Sequence, residues 1–231
     1  MSLSSAFPAW PPHEQARLLT LQRSQILQSL RETVFTKIVQ VTAQLFETPI
    51  SLLGVVEATQ VTYKAGIGWP FSQQPRAETL CTQVVEHGTI AVLLDIMQPP
   101  VPFYAPPTHP PGVRFYAGVP LRMPNEYVIG TLCIMDRCPR EFGLCEQQVL
   151  SQLARVAERI VVARQGCLAS PWLGLAHWQP AQAYIATALE RLRQLANSQE
   201  SPGGMLATLE LAIPQLNELA RVLAEPLPGF D

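Results

Sequence analysis

Two cysteines, two arginines and a tyrosine are the side chains best placed to do chemistry in this sequence. Cys81 falls near the start of a segment, Glu78 to Glu86, whose spacing predicts a short helix with Leu80, Val84 and Val85 facing inward. A helix N-terminus lowers the pKa of a nearby thiol, which would make Cys81 a nucleophile or a redox centre. A free cysteine is also a small apolar residue that packs well in a core, and that reading stands beside the first. Cys133 lies inside an apolar run, where the core reading is the stronger one. Arg114, Tyr116 and Arg122 share one parity along a predicted strand, so all three point to one face. On a pocket side, two guanidiniums and a phenol would hold an anion or a planar ligand. On an open side, the arginines are solvated strand ends.

Other chemistries find no motif. A Gly-rich phosphate loop followed by Lys and Ser or Thr is missing, as are His-Glu-x-x-His, Cys-x-x-Cys and Gly-x-Ser-x-Gly. His13, His87, His109 and His177 are scattered, and Cys138 with Cys145 is not a metal-ligand spacing. No cofactor is identified. A net charge of -2 argues against a nucleic-acid binder, which needs a basic stripe. Five irregularly spaced cysteines read as reduced thiols of a cytoplasmic protein. The opening MSLSSAFPAWPP lacks the apolar core of a signal peptide, and no apolar run approaches a membrane span.

The elements that must position these residues centre on Val113 to Arg137. Two apolar runs, Phe115 to Leu121 and Tyr127 to Met135, flank the turn Met123-Pro124-Asn125-Glu126. Each run is apolar on both parities, which predicts a hairpin in a sheet covered on both faces. Gly118 and Gly130 mark a bulge or a close backbone approach. Upstream, Ile50 to Glu57 and Val61 to Ala65 predict another hairpin, and Thr89 to Leu94 a further strand.

Helices flank this core. Ile26, Leu30, Val34, Ile38, Val41 and Leu45 form one stripe in a Pro- and Gly-free stretch from His13 to Glu47. That predicts one long helix, or two with a slight break, the first half overhanging the domain and free to dimerise. Val149, Leu153, Val156, Ile160 and Ala163 form a second stripe, ended by Gly166 and paired with the first on one face of the sheet. The tail predicts a helical hairpin, one helix opening at Pro180 and the other kinked at Pro214. Such a hairpin must pack on this domain or on a second copy. Pro99 to Pro111, PPVPFYAPPTHPP, is a stiffened loop. Its Phe103 and Tyr104 would plug the core, cover a pocket as a lid, or dock a partner.

Three stretches together resemble the GAF domain of bacterial signalling proteins. They are "LFETPISLLGVVEATQVTYKAGIGWP", "ETLCTQVVEHGTIAVLLDI" and "RFYAGVPLR" followed by "IGTLCIMDRCPREF". The resemblance spans about Arg31 to Arg164. It implies a small-molecule sensor and places Cys81 on the helix bordering the family's ligand cavity. It also implies free methionine sulfoxide reductases as relatives, since these are GAF enzymes that use cysteines. The Asn-Lys-x-Phe-Asp-Glu type motif of cyclic-nucleotide-binding members is absent. Cys81 precedes Thr82 and Cys133 precedes Ile134, where bilin-binding members carry Cys-His.

The expected fold is α+β, an antiparallel sheet of about five or six strands with helices on one face and a loop-covered cavity on the other. Residues 1–12 are expected to be disordered, 13–165 to form the GAF-like domain with a long N-terminal helix, and 166–231 to form a helical extension. The expected function is a non-catalytic sensory or regulatory module. A ligand held by Cys81, Phe103, Tyr104, Arg114, Tyr116 and Cys133 would signal through the terminal helices or a homodimer interface to a separate protein. The alternatives are a thiol enzyme or redox sensor using Cys81, and a ligand-free dimerisation scaffold.

Overall fold

The two central apolar runs form the middle of the sheet. In the computed structural model, which describes residues 11–28, 32–98, 112–169, 174–198 and 204–222, β1 spans Ile50–Val56, β2 Gln60–Ile67, β3 Gln73–Pro75, β4 Ala91–Leu93, β5 Phe115–Arg122 and β6 Val128–Asp136. They form one antiparallel sheet in the order β3-β2-β1-β6-β5-β4. β3 lies in a stretch that reads as a polar loop. It is an exposed edge strand of three residues, paired to β2 alone, and so carries no apolar alternation.

All seven positions of β1 and eight of nine in β6 are buried, so both faces of the sheet are covered. Leu53, Val55, Phe115, Ala117, Leu132 and Ile134 pack with α2 (Thr33–Leu45) and α4 (Leu144–Ala169). Leu52, Tyr116, Cys133 and Met135 pack on the opposite side with α3 (Leu80–His87). Full burial of such an aliphatic side chain stabilises by about 1.5–3 kcal/mol, which makes this two-sided packing the main cohesive term. Gly130 lets the backbones of β6 and β1 approach, since a Cβ there would collide with the Gly54 carbonyl. A register shift between Leu121 and Arg122 sits beside it.

The N-terminal stripe is broken and does not overhang. α1 (Pro12–Ser24) ends where Gln25 turns left-handed at φ 52°, a 3-10 turn follows, and α2 begins at Thr33. Docking drives the break: Leu21 and Ile26 are buried in the helical-side core, and buried Arg17 donates to the Val56 carbonyl at 2.8 Å. Arg17 also pairs with Glu14 at 2.7 Å, and Arg76, just ahead of α3, reaches the same carboxylate at 2.5 Å. Of the segment expected to be disordered, residues 1–10 lie outside the described residues, and Pro12 already opens α1.

The tail folds onto its own domain. α5 (Gly174–Ser198) packs on α2 and α4, and α6 (Gly204–Val222) packs on α4. Leu189, Leu192, Leu216 and Leu219 join the same core as the sheet. Two expected boundaries shift. α4 runs past Gly166 to Ala169, because Arg164 and Cys167 are still buried there. Pro180 lies inside α5, six residues beyond Gly174, because Trp178 anchors the helix upstream of it. The Trp178 indole N–H donates to Glu32 at 3.1 Å, Arg164 donates to the same carboxylate at 2.6 Å, and Arg164 also donates to the Gln25 carbonyl at 3.1 Å. Among the described residues, no helix is long and apolar enough to cross a membrane.

Trp178 is the largest fully buried side chain, at 1% exposure. Trp178→Ala should lower the unfolding free energy by about 3–5 kcal/mol, read from urea denaturation. Trp178→Phe, which keeps a ring and loses the hydrogen bond, should cost clearly less. Equal losses for the two would mean that packing contributes little there.

Candidate functional site

Cys81, Tyr116 and Cys133 come together on the α3 side of the sheet. The reason is register. Cys133 pairs with Leu52 on one side and Gly118 on the other, and Tyr116 pairs with Met135. Alternation then places Tyr116, Gly118, Thr131 and Cys133 on one face. α3 lies across this face, with Cys81 in its first turn. The Tyr116 hydroxyl is 4.0 Å from Cys81 Sγ. Its ring folds back along its own strand over Gly118, where a Cβ would collide with the phenol. Tyr63 lies likewise against Gly54, its ring 3.3 Å from where a Cβ would stand, and its hydroxyl donates to Gln74 at 2.8 Å.

Burial governs the chemistry of this cluster. Cys81, Cys133 and Tyr116 are each at most 1% exposed. A hydrogen bond from Cys133 holds the Cys81 thiol below the ordinary thiol range, against burial, which raises it. That same hydrogen bond, with burial, pushes Cys133 well up. Burial raises both tyrosines. The arrangement therefore has one favoured thiolate position, Cys81, and the cause is its neighbour Cys133 on the strand beneath α3 more than the helix end invoked from sequence. The Thr131 hydroxyl is fully buried beside the two thiols and favours the ionised form of each.

The arginines do not join the cluster. Arg114 makes a two-pronged ion pair with Asp95 at 2.8 and 2.5 Å, which holds the Asp95 carboxyl down at about 2. Arg122 donates to the Gly88 carbonyl at the end of α3 at 2.7 Å and to the Glu126 carbonyl at 3.0 Å. Both act as ties at strand ends. Arg122 stabilises the C-terminus of α3, where a cation is favourable. Phe103 and Tyr104, with the proline-rich segment, lie outside the described residues. Thr131, Gly118 and Tyr63 were not singled out as site residues from sequence, although Thr131 shares parity with Cys133 and would follow from it.

Cys138 is exposed, whereas Cys81, Cys133 and Cys167 are buried. In native protein an aromatic disulfide reagent should label Cys138 at once. It should reach Cys81, Cys133 and Cys167 only on unfolding, followed by thiolate absorbance and peptide mapping. Prompt labelling of Cys81 would show that the α3 face is open.

With this geometry in place, comparison with known proteins is informative. The GAF domain profile matches residues 30–161, more than half of the chain. Over 223 residues the chain is 26% identical to a cyclic di-GMP phosphodiesterase of Pseudomonas aeruginosa, covering 96% of this chain and 37% of that protein. The chain therefore spans well under half the length of this curated relative. Among solved structures it is similar to the GAF domain of an Acinetobacter phosphoenolpyruvate-protein phosphotransferase, with TM-score 0.48, 16% identity, and coverage of 65% of this chain and 96% of that one. It is also similar to a free methionine-R-sulfoxide reductase from Neisseria meningitidis in complex with its substrate, with TM-score 0.46, 18% identity, and coverage of 67% and 92%. The β-hairpin carrying Tyr116 and Cys133, the helix carrying Cys81 and the profile match agree: this chain belongs to the GAF domain family, a sensory and regulatory fold.

Proposed function

We propose that this chain is a regulatory GAF module that binds a small molecule on the α3 face of its sheet. The observation that carries this reading is the sealed polar cluster of Cys81, Cys133, Tyr116 and Thr131 within an otherwise apolar layer. Phe103 and Tyr104 would cover the ligand. Signalling is a population shift, and the ligand must prefer one arrangement of α3 and the terminal helices over another. A homodimer built on terminal helices would carry that change to a partner. The likeness to a cyclic di-GMP phosphodiesterase supports an output in cyclic di-GMP turnover, exerted by a partner or by a segment outside this chain.

The proximity of Cys81 and Cys133 favours a second reading, a thiol enzyme or redox sensor. If Cys81 acts on free methionine sulfoxide, Cys81→Ser abolishes reduction. Background rates in both proteins would end that reading.

Native mass spectrometry of protein purified from its own host should reveal a retained small molecule and the number of subunits. Gly118→Ala should wedge the Tyr116 ring, destabilise the fold by about 1–3 kcal/mol and remove the retained molecule. Retention undiminished by Gly118→Ala would place the ligand elsewhere.

A further inference from the structure

A groove lies where α4, α6 and the β5–β6 turn meet. Its volume is about 460 Å³, and its lining includes Arg122, Arg155, Arg159, Arg221, Glu126 and Glu158. Arg155 and Arg159 stand one turn apart on α4, both exposed. Among the described residues, neither has a carboxylate within ion-pair distance. Like charges four residues apart on a helix repel, so this pair costs stability unless a counter-charge occupies the space between.

The remaining charges offset one another. Arg221 pairs with Glu218 at 2.8 Å, and Arg122 faces Glu126 at 3.8 Å. Glu158 sits between the two unpaired arginines in sequence and accepts the Arg122 backbone N–H at 2.5 Å. Burial raises its carboxyl to about 7, against the pull of that hydrogen bond and of Arg155, Arg122 and Arg159. The groove therefore carries a double positive charge when Glu158 is protonated and a single one when it is ionised.

We infer that this groove binds a dianionic phosphate-bearing small molecule, clasped by the guanidinium forks of Arg155 and Arg159. Two planar forks suit the paired oxygens of a phosphate, and the unpaired charge matches a phosphate monoester or a diphosphate. The volume admits a molecule of nucleotide size. Protonation of Glu158 removes the one negative charge set between the arginines, so binding tightens as pH falls from 8 to 6. The sign for stability runs the same way. A carboxyl raised from its unfolded value favours the folded state below about 7, and this contribution fades as pH rises from the unfolded pKa through about 7.

The test uses the whole chain with pyrophosphate as probe, at ionic strength held constant with sodium chloride. Pyrophosphate should raise the melting temperature saturably. Arg155→Ala/Arg159→Ala should weaken it at least tenfold, about 1.4 kcal/mol, while Arg191→Ala on α5 leaves it unchanged. Circular dichroism checks that the double variant is folded. Sulfate, whose charge is constant between pH 6 and 8, should bind more tightly at the lower pH, and Glu158→Gln should remove that dependence. An effect no larger than that of sodium chloride, or undiminished binding by the double variant, overturns the proposal. Tighter binding of an acidic peptide than of pyrophosphate overturns it in favour of a protein partner.

Discussion

A sheet whose middle strands are apolar on both sides must be covered twice, and the rest of this structure follows from that demand. β1 and β6 leave almost no position to water. One cover is a short helix, α3. The other is a pair of long helices, α2 and α4. The asymmetry matters for function. The thick side merges into a core that continues into α5 and α6. The thin side is a smaller cluster into which the chain sets two of its five thiols, Cys81 and Cys133, and two tyrosines. Among the described residues, a face closed by the eight residues of α3 buries less apolar surface than one closed by α2 and α4, and local opening tracks the amount of apolar surface buried.

The second layer of helices has its origin in α2. Val34, Ile38, Val41 and Leu45 make one apolar stripe, and Phe35 and Val39 add to a second; all six are buried. A helix that is apolar on more than one side needs more than one partner. The sheet supplies the first and α5 the second. Phe35 and Val39 demand a second partner, and α5 of the same chain supplies it here.

The sheet was legible because alternation and turn residues are local. Both hairpins, α3 and the short strand before the proline-rich segment appear within a few residues of their expected places. What was not legible depends on distant partners. The break at Gln25 carries no Gly or Pro and is imposed by docking of Leu21, Ile26 and Arg17. The edge strand Gln73–Pro75 exists only through backbone pairing. In the site, parity grouped Tyr116 with Arg114 and Arg122 along one strand; its meeting with Cys133 and Cys81 depends on strand register and on α3 crossing that face. Arg114 and Arg122 left the cluster because Asp95 and the Gly88 carbonyl compete for them, and neither partner is marked by strand parity.

Glu32 ties three segment ends with one carboxylate: the start of α2, the last turns of α4 through Arg164, and the start of α5 through Trp178. A buried charge deprived of one partner leaves the others strongly destabilised. Partial loosening of this junction is therefore the least favourable state available to it. The ends of α2, α4 and α5 are therefore held, or released, together.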